Sequence, residues 1–340
     1  EQAGRLMHVS NLFYNDRAIA LAEALCERTP FTKAYFCNSG SEANEAMLKL
    51  ARRFHHDRGD SERVELVATH RSFHGRTMGS LSVTGQAKYQ VGMEPLIPGV
   101  RFVDYNDLRA LEQVVTDKTA ALILEPIQAE GGIIVGEPEF LEGARKICDE
   151  RGALLLFDEI QTGYGRTGRF LAQEWFGVVP DACSLAKGIG GGFPLGAMLV
   201  TERLQQGLPP GSHASTFGGN PLACSAGLAV LEIFEEEGLV DNAAELGDYL
   251  GSRLTEISER LDSVVGTRGM GLLRGLILSD DVDPSATLAA AFSAGLLVTL
   301  AGGVVVRISP SLNVTRDEID EGLALLEKVL ADAPKKGAAS

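Results

Sequence analysis

The sequence predicts an α/β protein in two parts. Residues 1–232 form a large domain built on a mostly parallel sheet with both faces covered, and residues 233–340 a smaller C-terminal α/β domain. Three observations predict this. Short, continuously apolar runs recur through the first part, as the doubly buried strands of a parallel sheet require. Stretches with apolar residues at helical spacing lie between several of them. From about residue 233 the texture changes to a long amphipathic helix, EEEGLVDNAAELGDYLGSRLTEISERL, followed by further strands and a terminal helix.

Taken in order, residues 17–28 carry apolar positions at helical spacing, and KAYFCN is a short strand. It stops at NSGSEANEAMLKLARRFHH, where Ala43, Met47, Leu50, Ala51 and Phe54 make one apolar stripe, so a helix starts near Ser41. Strand-like runs follow at 63–69, 99–105, 120–126, 153–159 and 181–187, with a helix over 139–151. In the second part GLLRGLILS and VVVRISP read as strands, and the last helix runs from Asp317 to about Leu330.

With 45% hydrophobic and 23% charged residues among 340, the composition is that of a globular protein and excludes disordered and fibrous classes. The longest apolar runs, AALILEP and ALLLF, fall far short of the roughly 18 residues that cross a bilayer, and no secretory h-region opens the chain. A cytoplasmic location is the expectation. The five cysteines are widely spaced and never C-x-x-C, so they read as reduced core thiols rather than a disulfide framework or zinc site. A net charge of −15 repels nucleic acid and anionic membranes, and an anionic small substrate needs local arginines. The chain starts at Glu1 without a methionine, inside what reads as a helical region, and is expected to lack part of its natural N-terminus.

Three buried-type strands end in an ionisable residue: Glu125 after ALIL, Asp158 after LLLF and Lys187 after CSLA. In open α/β sheets ligands sit outside the carboxyl ends of the strands, so these groups are expected to converge on one crevice. In SLAKGIGGGFPLGA the lysine precedes the glycines, the reverse of a phosphate-binding P-loop; taken alone it reads better as a solvated lysine at a strand end beside a flexible turn. A lysine that sheds its proton forms a Schiff base with an aldehyde, and a buried Asp facing a pyridine nitrogen keeps that ring protonated. Pyridoxal phosphate needs both. It also needs an anion cradle, which Ser39, Gly40 and Ser41 offer ahead of a helix, although Ser39-x-x-Glu42 is equally a capping-box pattern. Phe73 or His74 could lie flat against the ring, with a core Phe as the alternative. His70 and His74 are four apart, but Gly75 breaks the helix and no carboxylate ligand is near, so no metal is expected. Ser215 and Thr216 precede a Gly-Gly turn that admits close backbone approach; by itself that stretch is a loop.

NSGSEANE, FHGRT, EPIQAEGG, DEIQTGYGRTG, LAKGIGGGFPLGA and STFGGNPLA, in this order, resemble the class III (ornithine aminotransferase-like) subgroup of fold type I pyridoxal phosphate enzymes, and VVVRISPSLN continues the likeness into the C-terminal domain. MHVSNLFYN and RISPSLNVT are most similar to members acting on N-acetylornithine. The resemblance implies a seven-stranded sheet, a homodimer with shared active sites, and an exchange between a terminal amine and 2-oxoglutarate.

It also implies roles. Lys187 would bond the cofactor and carry the proton, Asp158 would pair with the pyridine nitrogen, and Gln161 would contact the phenolic oxygen. Ser39, Gly40 and Ser41 would hold the phosphate and Phe73 stack on the ring, with Glu125 beside it. Thr216 would reach the phosphate of a second chain and Ser215 turn towards the substrate. Arg76 and Arg307 would bind carboxylates, with Glu130 masking one of these arginines. Family members usually carry an additional N-terminal segment that helps line the substrate site. Rival donors are ornithine, succinylornithine, 4-aminobutyrate and a carrier-linked lysine precursor, the last a poor match for an acidic chain. A rival of another class is a non-catalytic nucleotide-binding protein, in which Lys187 is a phosphate contact.

Overall fold

The computed structural model describes residues 1–337, and the chain divides into two compact units. The first contains residues 1–126, 136–163 and 173–236; the second contains 127–135, 164–172 and the chain from Glu237 onward. A linear division at residue 232 therefore leaves out two short segments that pack with the C-terminal part.

In the first unit α1 (Gln2–Arg5) and α2 (Asp16–Glu27) precede β1 (Lys33–Cys37) and α3 (Gly40–His56). There follow β2 (Glu65–Thr69), α4 (Met78–Ser82), β3 (Val100–Val103), α5 (Leu108–Val114) and β4 (Thr119–Leu124). The hairpin strands β5 (Ile127–Gln128) and β6 (Ile134–Val135) belong to the second unit. The first unit resumes with α6 (Pro138–Arg151), β7 (Leu154–Asp158), β8 (Ala182–Leu185), β9 (Gly196–Val200) and α7 (Pro221–Glu236).

Seven strands form one sheet in the order β1-β9-β8-β7-β4-β2-β3. β9 runs antiparallel to both of its neighbours, and every other pairing is parallel. The chain moves one way along the sheet from β1 to β2 and the opposite way from β4 to β7. Right-handed crossovers then place α3 and α6 on opposite faces. β4 and β7 are buried at every residue, which is why their sequences are continuously apolar rather than alternating. Of the α3 stripe, Met47, Leu50, Ala51 and Phe54 pack into a core with Leu66, Ile123, Leu156 and Met198, and Ala43 is fully buried. Truncating a side chain such as Leu156 to Ala is expected to cost about 2–5 kcal/mol.

The second unit continues with α8 (Leu239–Arg260), β10 (Val264–Met270), β11 (Leu273–Leu278), α9 (Pro284–Ser293), β12 (Thr299–Ala301), β13 (Val305–Ile308) and α10 (Arg316–Ala331). Its antiparallel sheet runs β10-β11-β13-β12. The single long helix expected from about 233 is instead two, α7 and α8, separated at Gly238, whose φ of 58° lies outside the helical region. α8 buries Leu246, Leu250, Leu254 and Ile257 against Leu276, Val306 and the α10 residues Leu323 and Leu326. Among the described residues no helix is long and apolar enough to cross a membrane.

Candidate active site

β7 and β8 are parallel neighbours, with Asp158 opposite Ser184. Asp158 closes β7 and Lys187 lies two residues past β8, so both leave the carboxyl edge of the sheet side by side. Asp158 is 4% exposed. Its Oδ2 accepts from Asn44 Nδ2 at 2.8 Å and lies 2.8 Å from His74 Nδ1; Oδ1 accepts from the Ile160 N–H at 3.1 Å and from Ser184 Oγ at 3.4 Å. These contacts hold the carboxylate in one orientation.

Lys187 is exposed and sits at φ 49°, a left-handed conformation that costs a side-chain-bearing residue on the order of 1–3 kcal/mol. Its Nζ donates to Gln161 Oε1. The glycines that follow serve the turn: Gly191 and Gly192 have φ of 56° and 100°, and carry the chain back into β9.

The N-terminus of α3 supplies the cradle. Ser39 caps it, Oγ accepting from the Glu42 N–H at 3.3 Å, while Glu42 reaches back to the Asn38 N–H at 2.8 Å. The cap thus forms, and Gly40 and Ser41 lie in the first turn of α3, where helix geometry supplies no internal acceptor for their N–H groups and an anion can be bound. At Gly40 a Cβ would lie 2.6 Å from the Ile160 Cδ1 atom, so any side chain there would force Ile160 to move for the helix to start this close to the end of β7. Ser41 Oγ accepts from the Arg76 N–H at 3.1 Å.

Ser215 Oγ donates to Glu42 Oε1 at 3.1 Å and accepts from Asn38 Nδ2 at 3.0 Å, with exposed Thr216 next to it. Burial pushes the Glu42 carboxyl up, but hydrogen bonds from Asn38, Ser215 and Ser39 outweigh it and hold the group below its ordinary 4.5.

Phe73 is half-buried; its N–H donates to Glu125 Oε2 at 3.1 Å, and its ring meets Tyr89 edge-on at 5.7 Å. Glu125, 5% exposed, thus holds the backbone of the aromatic residue. The Arg76 guanidinium lies 4.0 Å over the Tyr89 ring and 5.5 Å over Phe73, exposed to solvent.

Within the second unit Arg307, on β13, donates through Nη1 to Glu130 Oε1 at 2.6 Å and through Nε to Thr299 Oγ1 at 3.0 Å. Glu130 sits in the turn between β5 and β6, which is held by its own carbonyl accepting from the Gly302 N–H at 2.8 Å and by apolar contacts of Ile127 and Ile133 with Leu273 and Val305.

Sequence reasoning missed several residues. His74 is a partner of Asp158, with its side chain fully buried. Asn11 Nδ2 donates to the Ser215 carbonyl at 2.6 Å and Asn15 Nδ2 to the Gly219 carbonyl at 3.0 Å, while the rings of His8 and Phe217 lie 5.0 Å apart. The segment 8–15 therefore clamps the loop 215–219. The only sequence signal for this was the polar spacing within MHVSNLFYN, which does not reveal its target.

The donor set of the first unit fits pyridoxal phosphate: a buried, aimed carboxylate, a lysine at the next strand end, an amide beside it, and a helix N-terminus opened by a glycine. The chain belongs to the class-III aminotransferases, whose family model matches residues 1–330. Enzymes of this class depend on pyridoxal phosphate and transfer amino groups, and this chain is such a transaminase. It is 48% identical to the acetylornithine aminotransferase of Gloeobacter violaceus, over 98% of this chain and 83% of that protein. It is 45% identical to the succinylornithine transaminase/acetylornithine aminotransferase of Pseudomonas aeruginosa, over 97% and 82%. A solved ornithine aminotransferase from Toxoplasma gondii, described with partial occupancy of PLP at its active site, superposes with a TM-score of 0.93 at 31% identity, over 98% of this chain and 80% of that one.

Proposed function

We propose that the chain transfers the terminal amino group of N-acetylornithine to 2-oxoglutarate, giving N-acetylglutamate 5-semialdehyde and glutamate, as a step of arginine synthesis in the cytoplasm. What supports the substrate is the 48% identity to an acetylornithine aminotransferase along nearly the whole chain. Bound here, pyridoxal phosphate would supply an electrophilic aldehyde and an electron-withdrawing ring. Asp158 would face the ring nitrogen and keep a proton on it. Gly40 and Ser41 would hold the phosphate, with Ser39 capping their helix, Phe73 would cover the ring and Gln161 would meet its phenolic oxygen. Lys187 would bond the group at rest, and its freed Nζ would take the proton from the amine-bearing carbon of the donor and deliver it to the cofactor carbon that had carried the aldehyde.

Arg76 and Arg307 bind the two carboxylates of glutamate, bidentate guanidinium to carboxylate. Glu130 covers Arg307 while the amine is bound and leaves it for glutamate. Two chains pair, with Thr216 of one completing the phosphate site of the other and Ser215 turned to the substrate. The test compares kcat/KM for N-acetylornithine, succinylornithine, ornithine and 4-aminobutyrate. N-acetylornithine is expected to lead, and a lead for ornithine or 4-aminobutyrate would overturn the substrate. Succinylornithine is the second reading, because the Pseudomonas aeruginosa relative carries both names.

A further inference from the structure

Asn44 lies four residues after Gly40 on α3, and hence on the same side of the helix one turn further in. It is fully buried. Its amide nitrogen donates to the His74 carbonyl oxygen at 2.7 Å and to Asp158 Oδ2 at 2.8 Å. Both partners only accept, so the amide has a single workable orientation; turned over, it would set an oxygen against two oxygens. The consequence is that Asn44 Oδ1 is buried with no hydrogen-bond partner. Such an orphan is destabilising and uncommon in native interiors, so the position is not explained by packing alone.

The same helix touches the end of β7 at a second point. The Ile160 side chain occupies the space beside Gly40, and the Ile160 N–H donates to Asp158 Oδ1. One rigid element is thus keyed to the 158–160 segment twice, four residues apart.

We propose that Asn44 is a positioning residue for the transamination: it ties the helix whose first turn cradles the phosphate to the carboxylate that faces the ring nitrogen. The two ends of the cofactor are then spaced by α3 itself. This rests on the reading of Gly40 and Asp158 given above. Asn44 acts through Asp158, which it holds from the side while His74 holds it from another. Without the amide, the carboxylate loses a charge-assisted donor and its fixed distance from the cradle.

The test uses the full chain loaded with pyridoxal phosphate and compares wild type with Asn44→Ala, Asn44→Asp and Asn44→Ser. Asn44→Ala is expected to keep binding the cofactor, because Lys187 and the cradle remain, but to lose about tenfold to a hundredfold in kcat with KM for the amine nearly unchanged. The visible absorbance of the bound cofactor is expected to shift in the same variant. Asn44→Asp, which sets carboxylate against carboxylate, is expected to be worse than Ala. Asn44→Ser keeps a hydroxyl donor and is expected to recover part of kcat; it carries the measurement if the alanine variant does not fold. Wild-type spectrum and kcat in the alanine or serine variant, or a loss confined to KM, would overturn the proposal. A wild-type chain that binds no pyridoxal phosphate would overturn the parent reading as well.

Discussion

Glu130 and Arg307 show what a single ion pair can decide. The pair is largely shielded, with side chains 29% and 13% exposed, so removing the carboxylate leaves a guanidinium ready for an anion. Glu130→Ala is expected to raise the ratio of kcat/KM for glutamate over that for the amine donor by about tenfold, measured as two separate half-reactions. An unchanged ratio would remove Glu130 from the specificity. Glu42 makes a different prediction. Its pKa is depressed in the fold, so the stabilisation is complete above the ordinary 4.5 and is lost as the pH falls through the lower folded value. The stability advantage of wild type over Ser215→Ala, read from urea unfolding, is therefore expected to be level from pH 7 to about 4.5 and to narrow below it. The places of Asp158 and Lys187 at the carboxyl edge of the sheet were legible because each follows a continuously apolar run. Asn44 was not, since an amide inside an apolar stripe carries no periodic signal, and His74 could not announce its partner because that partner lies 84 residues away.

At the scale of elements, strands β2, β4, β7 and β8 and helix α3 were legible because their burial is unbroken on the relevant faces. β9 was not, because GAMLV follows a glycine run and reads as the end of a loop, although it pairs with both β1 and β8. α7 was missed for a related reason: Ala, Gly and Cys crowd its sequence and blur the contrast between its faces. The clamp formed by segment 8–15 was invisible because its hydrogen bonds go to backbone carbonyls about two hundred residues on, as the separations of 204 show. Asn15 tests it cleanly, since Oδ1 caps α2 through the Ala18 N–H at 2.8 Å while Nδ2 holds the Gly219 carbonyl. Asn15→Asp keeps the cap and loses the donor. Weakening of pyridoxal phosphate binding by about twofold to tenfold, with the melting temperature of the cofactor-free chain nearly unchanged, is the expected outcome of a titration. Equal binding by variant and wild type would mean that the loop needs no clamp.

For the whole molecule, the sequence placed a boundary near residue 232, close to Glu237, yet a cut in the chain cannot describe units that exchange segments. The 127–135 hairpin packs with β11 and β13 through Ile127, Ile133, Leu273 and Val305, contacts between residues more than 130 positions apart in sequence. No local pattern encodes them. That hairpin carries Glu130 to Arg307, so the same excursion that hid the division also builds the ion pair. The net charge of −15 agrees with small anionic substrates held by local arginines rather than by the overall field. A single lysine, Lys187, is expected to carry pyridoxal phosphate. The experiment is borohydride reduction of the loaded protein followed by peptide mass mapping. A phosphopyridoxyl group is expected on the peptide containing Lys187 and is expected to vanish after Lys187→Ala; a group on another lysine, or none on a protein supplied with the cofactor, would rule Lys187 out.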